Sequence, residues 1–148
     1  MIKNISNLGD AAIYCDFGPE VNEAINSNVI IYREYVDNIS SVIKDATCII
    51  LPSYREGMST ILLEAAVLKK PIITTKVPGC IDIIPNESYG TLCEPKDPVS
   101  LISSIDRFLK LSEKDLERQT NKTYEYVKKN YSRDKILEVY DSCLKYIE

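Results

Sequence analysis

Two glutamates lie eight residues apart in the segment LPSYREGMSTILLEAAVL, which spans residues 51–68. Glu56 stands just before the expected start of a helix, and Glu64 lies inside a run of apolar residues within that helix. A carboxylate in a helix that is apolar nearly all round is costly unless it forms hydrogen bonds. Thr60 lies one turn before Glu64 on the same helix face. We therefore expect that face to point into the protein or into a pocket.

The first turn of this helix can bind an anion. The helical pattern covers residues 57–69, and the first turn of a helix leaves backbone N–H groups without helical partners. These groups belong to Gly57, Met58, Ser59 and Thr60. Together with the helix dipole they suit a phosphate, and Glu64 can then accept hydrogen bonds from ribose hydroxyls of the same ligand. The spacing indicates a site for a nucleoside diphosphate.

A purely structural interpretation stays open at this point. Glu56 would then be an exposed acid that caps the helix, and Glu64 would pair with a cation such as Arg55 or Lys76. Two glutamates in one helix are common, so their spacing alone does not decide between a ligand site and a structural role.

Short apolar runs alternate with helix-length connectors along the chain. The runs cover residues 11–15, 29–32, 47–51, 71–75 and 90–93, and helical patterns cover 19–27, 39–46 and 57–69. Continuously apolar runs are typical of parallel strands that helices bury on both faces. Residues 98–148 show a helical pattern throughout, with three successive apolar faces. We therefore predict an α/β fold, a Rossmann-like doubly wound parallel sheet with a helical C-terminal tail.

A sheet of this kind binds ligands outside the carboxyl ends of its strands. Three predicted loops lie at such ends, at residues 16–18, 52–57 and 77–80. The second of them carries Glu56 and leads into the helix of Glu64. The candidate phosphate site and the ligand-binding edge of the predicted sheet therefore coincide.

Composition excludes several classes of function. The 148 residues include 18 Lys and Arg against 22 Asp and Glu, a net charge of −4, so we expect no nucleic-acid partner. The chain has no His, which removes Ser-His-Asp and Cys-His nucleophile systems and His-ligated zinc. Its five cysteines form no C-x-x-C pair, and we expect reduced, mostly buried thiols and no metal site. No apolar run approaches the ~20 residues that span a bilayer, so we expect a cytoplasmic location.

Several elements recur in the order and spacing of a known family. The segment Leu-Pro-Ser-x-x-Glu-Gly-Met-x-x-x-Leu-Leu-Glu-Ala at 51–65 is followed by Lys-Pro-Ile-Ile-x-Thr-x-Val-Pro-Gly-Cys at 70–80. This pattern resembles the donor-binding domain of the retaining glycosyltransferases of family 4, which have the GT-B fold. The resemblance covers about residues 11–111. The Glu-Gly-Met and Val-Pro-Gly-Cys forms are similar to the branch that builds lipopolysaccharide O-antigen, capsule and other bacterial surface glycans.

The resemblance implies a role for each candidate residue. Glu64 would hold the ribose hydroxyls, and Glu56, the candidate catalytic residue, would lie near hydroxyls of the donor sugar. The backbone amides of the next four residues would face the sugar and the diphosphate; they belong to Gly57, Met58, Ser59 and Thr60. The base would lie near residues 32–36, which makes Tyr35 and Val36 candidate binding residues.

The implied activity is glycosyl transfer with retention at the anomeric carbon. A hexose or N-acetylhexosamine would pass from a nucleotide-sugar, taken to be a UDP-sugar, to a lipid-diphosphate-linked acceptor at the membrane surface. The family needs no bound metal or cofactor, and the leaving phosphate would take the proton of the acceptor. The alternative is a free-standing nucleotide-binding α/β module that transfers nothing.

The start of the chain differs from the family. Members have an acceptor-binding domain before this point, and then an Arg…Lys-Gly element whose cations neutralise the leaving diphosphate. Residues 1–10 contain Lys3 and no such element. We therefore expect residues 1–148 to be one donor-binding domain, with 98–148 as its helical tail, cut from a longer enzyme that includes its own N-terminal domain. The fragment alone should be inactive, and the full enzyme would be peripheral on the cytoplasmic face of the inner membrane.

The tail combines aromatic and basic residues. Tyr124, Tyr126 and Tyr131 alternate with lysines at positions 122, 128 and 129. One interpretation is a surface that meets anionic lipid or a lipid-diphosphate acceptor. The other is a solvated helix face whose tyrosines pack on the core. Acids such as Glu125, which interrupt the basic surface, favour this second interpretation.

Overall fold

Three short parallel strands form the centre of the structure. The computed structural model describes residues 19–31, 36–135 and 137. Its strands are β1 (Ile49–Leu51), β2 (Ile72–Thr75) and β3 (Thr91–Cys93), with β2 in the middle. The register pairs Ile50 with Ile73, and Thr74 with Leu92. These three strands confirm the predicted runs at 47–51, 71–75 and 90–93.

Helices connect and cover the strands. In chain order they are α1 (Pro19–Asn26), α2 (Ile39–Asp45), α3 (Thr60–Val67), α4 (Pro98–Phe108) and α5 (Glu113–Tyr131). The helices expected over 19–27 and 39–46 are confirmed. The helix expected over 57–69 is present but begins three residues later, at Thr60.

Helices bury both faces of the sheet. Ile72 and Leu92 lie in one core cluster with residues of α2, α3 and α5, such as Leu62. Ile73, the next residue along β2, lies in a second cluster on the other face with Phe108 of α4. Successive side chains of a strand point to opposite faces, so a strand that is apolar at both positions needs helices on both sides. The predicted doubly wound α/β fold is confirmed.

Helices α4 and α5 in the described C-terminal part are separated by a turn. Asp97 caps α4 by accepting hydrogen bonds from the backbone N–H groups of Val99 and Ser100, both at 3.0 Å. Residues 109–112 then interrupt the helix expected throughout 98–148, because the Leu111 N–H bonds to the Phe108 carbonyl and Ser112 caps α5. This turn lets α5 pack against α3.

The strand expected over residues 29–32 is wrong for the residues described there. Asn28 has a left-handed φ of 55°, and the N–H groups of Val29 and Ile30 both bond to the Ala24 carbonyl. This arrangement ends α1 in the way that a left-handed residue usually closes a helix, and it uses the donors that a strand would need. Val29 and Ile31 are 62% and 57% exposed. The run at 11–15 and Tyr32 lie outside the described residues.

The burial of the central strand predicts that truncating its Ile73 lowers stability far more than truncating the exposed Ile102. Ile73 is fully buried in β2, whereas Ile102 on α4 is 55% exposed. Ile73→Ala should lower the free energy of unfolding by about 2–5 kcal/mol, the range found for buried truncations. The matched control Ile102→Ala should change it by less than about 0.5 kcal/mol. Urea unfolding followed by circular dichroism measures both, and equal effects would contradict this packing.

Candidate functional site

The loop from β1 to α3 carries Glu56 and is held by the neighbouring strand. Thr74 Oγ1 donates a hydrogen bond to the Leu51 carbonyl at 2.8 Å, and Thr75 Oγ1 donates to the Ser53 carbonyl at 2.6 Å. Both threonines are buried. Because a β-branched side chain has few rotamers, these bonds determine where the loop leaves the carboxyl edge of the sheet.

The loop after β2 contacts the same segment through Gly79. Gly79 has a φ of 81°, and a Cβ built on it would lie 1.6 Å from the Gly57 carbonyl oxygen and 2.8 Å from that of Glu56. No other residue type fits there without moving one of the loops. Of the three loops expected at this edge, the structure thus brings two together, and residues 16–18 lie outside the described part.

Glu56 is oriented by its own loop. Its Oε2 accepts a hydrogen bond from Ser53 Oγ at 2.9 Å, and both side chains are partly buried. The N-cap of α3 is Ser59, so Glu56 does not cap the helix, and the structural interpretation of Glu56 as an exposed capping acid is wrong. The pKa of Cys80, in the loop after β2, is raised mainly by burial, and the negative charge of Glu56 raises it further.

The first turn of α3 differs in part from the prediction. The N-cap Ser59 precedes Thr60, the first helical residue, and the first helical hydrogen bond to Ser59 runs from the Leu63 N–H. Gly57 and the exposed Met58 lie in a bent segment before the helix, so placing their amides in its first turn was wrong. The free amides at the helix start belong instead to Ser59, Thr60 and the two residues after them.

The side chain of Ser59 has no partner. Ser59 is 2% exposed, its Oγ forms no hydrogen bond within the described structure, and it makes no capping bond to α3. An N-cap serine normally accepts a hydrogen bond from the helix, and losing one costs about 1 kcal/mol. The start of α3 therefore keeps unused polar groups from both backbone and side chain. Sequence reasoning considered only the Ser59 amide.

Glu64 lines a groove beside α3. One of its oxygens, Oε2, is buried and has no hydrogen-bond partner among the described residues. The groove has a volume of about 260 Å³ and lies between α2, α3 and α5, with Ser40, Val127 and Tyr131 in its lining. Of the face expected to point into the protein or into a pocket, Glu64 is partly buried and lines this groove, whereas Thr60 is exposed and does not line it.

The alternative of an ion pair for Glu64 finds no support in the described part of the chain. Lys76, one of the proposed partners, pairs with Glu94 at 2.5 Å. No ion pair joins Glu64 to Arg55 among the residues that the structure describes. Glu64 Oε2 thus has neither a hydrogen-bond nor an ion-pair partner among the described residues.

Helix α2 contributes Ser40 to the lining of the Glu64 groove, and Val36 lies in the segment before this helix. Val36 is partly buried just before this helix, and Asn38 caps it by accepting a hydrogen bond from the Ser41 N–H at 3.2 Å. Ser40, two residues further, lines the groove. Val36 thus lies four residues before a groove residue that sequence reasoning missed, because only the fold brings α2 beside α3. Tyr35 lies outside the described residues.

The cysteines of the described part are buried thiols. Cys48, Cys80 and Cys93 are unpaired and buried, as expected. Burial raises the pKa of the Cys48 thiol to about 12, and it also raises the pKa of Cys80 and Cys93. Since the thiolate is the nucleophile, the raised pKa values lower the nucleophilicity of these thiols. Cys15 and Cys143 lie outside the described residues.

In the described ranges, no group of three or more Cys, Asp or Glu side chains is placed to hold a metal ion. Over the same ranges, none of the helices combines the length and the apolar character required to traverse a bilayer.

Two tyrosines of α5 are linked to the Gly79 loop through hydrogen bonds to Asp82. The hydroxyls of Tyr126 and Tyr131 both donate to the Asp82 carbonyl, at 3.1 and 2.8 Å. Asp82 Oδ2 in turn accepts from the Gly79 N–H at 3.1 Å. These two tyrosines pack on the core, as the second interpretation of the tail expected, whereas Tyr124 lies under the ammonium groups of Lys69 and Lys128.

The close approach at Gly79 predicts that substitution of this glycine lowers stability, whereas substitution of Gly57 does not. Gly79→Ala should lower the free energy of unfolding by at least about 1 kcal/mol, because its φ is positive and the Gly57 carbonyl occupies the space. Gly57→Ala, whose Cβ would meet nothing within 4 Å, should change it by less than about 0.5 kcal/mol. Thermal and urea unfolding measure both values. Equal stability of the two variants would mean that the loops do not touch.

Comparison with known proteins gives a family and several relatives. The family Glycosyl transferases group 1 matches residues 20–126. The capsular polysaccharide biosynthesis glycosyltransferase CapM of Staphylococcus aureus is 31% identical over 84 residues, which cover 57% of this chain and 22% of CapM. The N,N'-diacetylbacillosaminyl-diphospho-undecaprenol alpha-1,3-N-acetylgalactosaminyltransferase of Campylobacter jejuni is 26% identical over 125 residues, 83% of this chain and 33% of that enzyme. The chain thus spans a third or less of these relatives.

Solved structures show the same fold. The sucrose-phosphate synthase of Thermosynechococcus elongatus superposes with a TM-score of 0.74 at 19% identity, covering 86% of this chain and 33% of the synthase. HepE of Anabaena in complex with UDP gives 0.72 at 15% identity, covering 83% of this chain and 36% of HepE. At such identities the likeness concerns the fold alone, and it confirms the Rossmann-like half of a GT-B fold.

The family match covers well over half of the chain and includes both glutamates, the start of α3 and the loop of Gly79. The resemblance deduced from the sequence is therefore confirmed. The chain belongs to the glycosyl transferases group 1 family and is a GT-B glycosyltransferase domain.

Proposed function

We propose that this chain is the donor-binding half of a retaining glycosyltransferase that transfers a hexose or N-acetylhexosamine from a UDP-sugar to a lipid-diphosphate-linked glycan. The product would be a surface polysaccharide such as capsule or O-antigen. The observation that carries the proposal is the buried, unpartnered oxygen of Glu64, one turn beyond the open start of α3.

Glu64 suits the ribose. A carboxylate oxygen that is buried without a donor is costly to the folded chain. The two neighbouring hydroxyls of a ribose can both donate to one carboxylate, and hydrogen bonds to a charged acceptor are stronger than neutral ones. The groove beside Glu64 also contains Ser40, in the helix that follows Val36. We place the base on that side, near Val36 and Tyr35.

The start of α3 suits the diphosphate. Thr60 and Glu64 lie four residues apart, which corresponds to about 6 Å along a helix axis. One ligand can therefore reach both places. The free amides of Ser59 and Thr60, the helix dipole and the unused Ser59 hydroxyl all favour negative charge there.

Glu56 and its loop are placed for the donor sugar. Ser53 holds the Glu56 carboxylate at the carboxyl edge of the sheet, and Gly79 keeps the Glu56–Gly57 peptide in contact with the loop after β2. We assign Glu56 to hydroxyls of the sugar, with the loop amides of Gly57 and Met58 facing the sugar and the nearer phosphate.

The reaction requires mainly electrostatic stabilisation of the leaving diphosphate. The bond between the anomeric carbon and the phosphate oxygen breaks while the acceptor oxygen attacks from the same face, and the leaving phosphate takes the acceptor proton. Charge therefore grows on the diphosphate, where fixed backbone N–H groups stabilise it without reorganisation. The start of α3 supplies part of that stabilisation, and cations of a preceding domain would supply the rest.

The relatives support the choice of substrates. HepE was solved with UDP and with UDP-glucose, and the Campylobacter enzyme is named for a diphospho-undecaprenol acceptor. Since the chain spans only about a third of such enzymes, its partner in catalysis would be an N-terminal acceptor domain of the same protein. The complete enzyme would act as a peripheral protein at the cytoplasmic face of the membrane.

The proposal predicts a specific loss of nucleotide binding. The chain should bind UDP, and Glu64→Ala should weaken that binding by about 10- to 100-fold, the equivalent of roughly 1.5–3 kcal/mol for hydrogen bonds to a charged group. Glu117→Ala, which removes an exposed glutamate of α5, is the matched control and should bind like the parent. Isothermal titration calorimetry decides. Equal affinity of Glu64→Ala and the parent would rule out the ribose role.

The proposal also predicts that residues 1–148 alone transfer no sugar. The N-terminal acceptor domain and the cations that would neutralise the leaving diphosphate are expected before this chain. Removing one well-placed donor from such a site costs about 10²–10³ in rate, and several would be missing together. Mass spectrometry of reactions with UDP-sugars and a lipid-diphosphate acceptor tests this, with UDP binding as the measure of folded protein. Multiple turnover would contradict the assignment of a donor-binding half.

A further inference from the structure

A second groove lies at the opposite edge of the sheet. It has a volume of about 500 Å³, within the range of small-molecule sites of roughly 300–1,000 Å³. We call it the α5 groove. Its polar lining comes from one face of α5 and from the turn before β3: Asp115, Arg118, Gln119, Lys122, Glu87 and Ser88. Because the strands are parallel, the amino end of β3 is at the edge away from Glu56.

Gln119 leaves an unused acceptor in this groove. Its amide nitrogen donates to the Glu87 carbonyl at 2.9 Å, which determines the orientation of the amide. The amide oxygen is buried and has no partner in the described structure. Buried polar atoms are nearly always hydrogen-bonded, so this oxygen is suited to a donor such as a hydroxyl of a bound molecule.

The carboxylates of the groove are already engaged. Glu87 Oε1 accepts from Arg107 Nη2 and from the Leu92 N–H, both at 3.3 Å. Asp115 accepts from Ser112 Oγ at 2.7 Å and from Arg118 Nη2 at 3.2 Å. Because each of these carboxylates accepts a hydrogen bond from an arginine, it repels an anionic ligand less than an unpaired carboxylate would.

The cations of the groove keep donors for a ligand. The ammonium group of Lys122 lies 4.5 Å above the ring of Tyr89, and it forms no ion pair with a described carboxylate. The Arg118 side chain is 81% exposed, and only one of its N–H groups bonds to Asp115. Arg118, Gln119 and Lys122 share one face of α5, because Lys122 follows Gln119 by three residues and Arg118 by four.

We propose that the α5 groove binds a small hydroxylated anion, of the type of a sugar phosphate or a uronic acid. A hydroxyl of the ligand donates to the Gln119 amide oxygen, and the anionic group accepts hydrogen bonds from Lys122 and Arg118. The site is separate from the proposed donor site and does not depend on it.

The test is an NMR titration of the ¹⁵N-labelled chain with glucose 6-phosphate, with glucuronate and with neutral glucose. We expect saturable shifts at Ser88, Gln119 and Lys122 with at least one of the two anions, and no saturable shift with glucose. The comparison of the two anions tells a phosphate site from a carboxylate site. Absence of saturation with both anions, or shifts confined to Ser59 and Thr60, would overturn the proposal.

Two variants test the contacts. Lys122→Gln should weaken anion binding about 10-fold or more, as expected for losing a charged hydrogen bond. Lys114→Gln removes an exposed lysine of the same helix outside the groove and should bind like the parent. Gln119→Met, checked for folding by its NMR spectrum, should also weaken binding. Equal affinities of Lys122→Gln and Lys114→Gln would overturn the assignment.

Discussion

The contact between Gly79 and the peptide of Glu56 and Gly57 determines the geometry of the site. Two loops that follow neighbouring strands meet there at backbone distance, with no side chain between them. Thr74 and Thr75 hold the first loop to the sheet from below, and Asp82 holds the Gly79 amide from the side. The position of Glu56 therefore depends on the packing of backbone against backbone.

Helix α3 combines features that lower its own stability. Its N-cap serine makes no capping bond, its fifth residue is a glutamate with a buried free oxygen, and its remaining surface is largely apolar. Local exceptions of this kind concentrate at functional sites, where the rest of the fold compensates for them. Here the compensation comes from Leu62, Ala65 and Ala66, which are almost fully buried in the main core cluster.

The sequence predicted those parts of the fold that depend on neighbours along the chain. The strands β1 to β3 follow from continuous apolar runs, and the start of α4 follows from Asp97 and Pro98. The exposed segment at Val29 was predicted wrongly, because the left-handed turn at Asn28 uses its backbone donors.

In the candidate site, too, the sequence predicted the local segment but not the residues that the fold brings to it. The segment with Glu56 and Glu64 was recognisable from residue types and spacing. Its surroundings were not, because Ser40 and Tyr131 reach the groove of Glu64 from helices distant in sequence. The late start of α3 was missed as well, since the apolar pattern that defines a helix does not locate its N-cap.

The paired tyrosines of α5 have a consequence for where the domain ends. The family match stops at residue 126, yet Tyr131 donates to the same Asp82 carbonyl as Tyr126 and lines the groove of Glu64. A shortened version that stops at the family boundary would lose one of these two supports and one wall of that groove. A unit that keeps both hydrogen bonds to Asp82 and the Tyr131 side of the groove therefore extends through the last turn of α5.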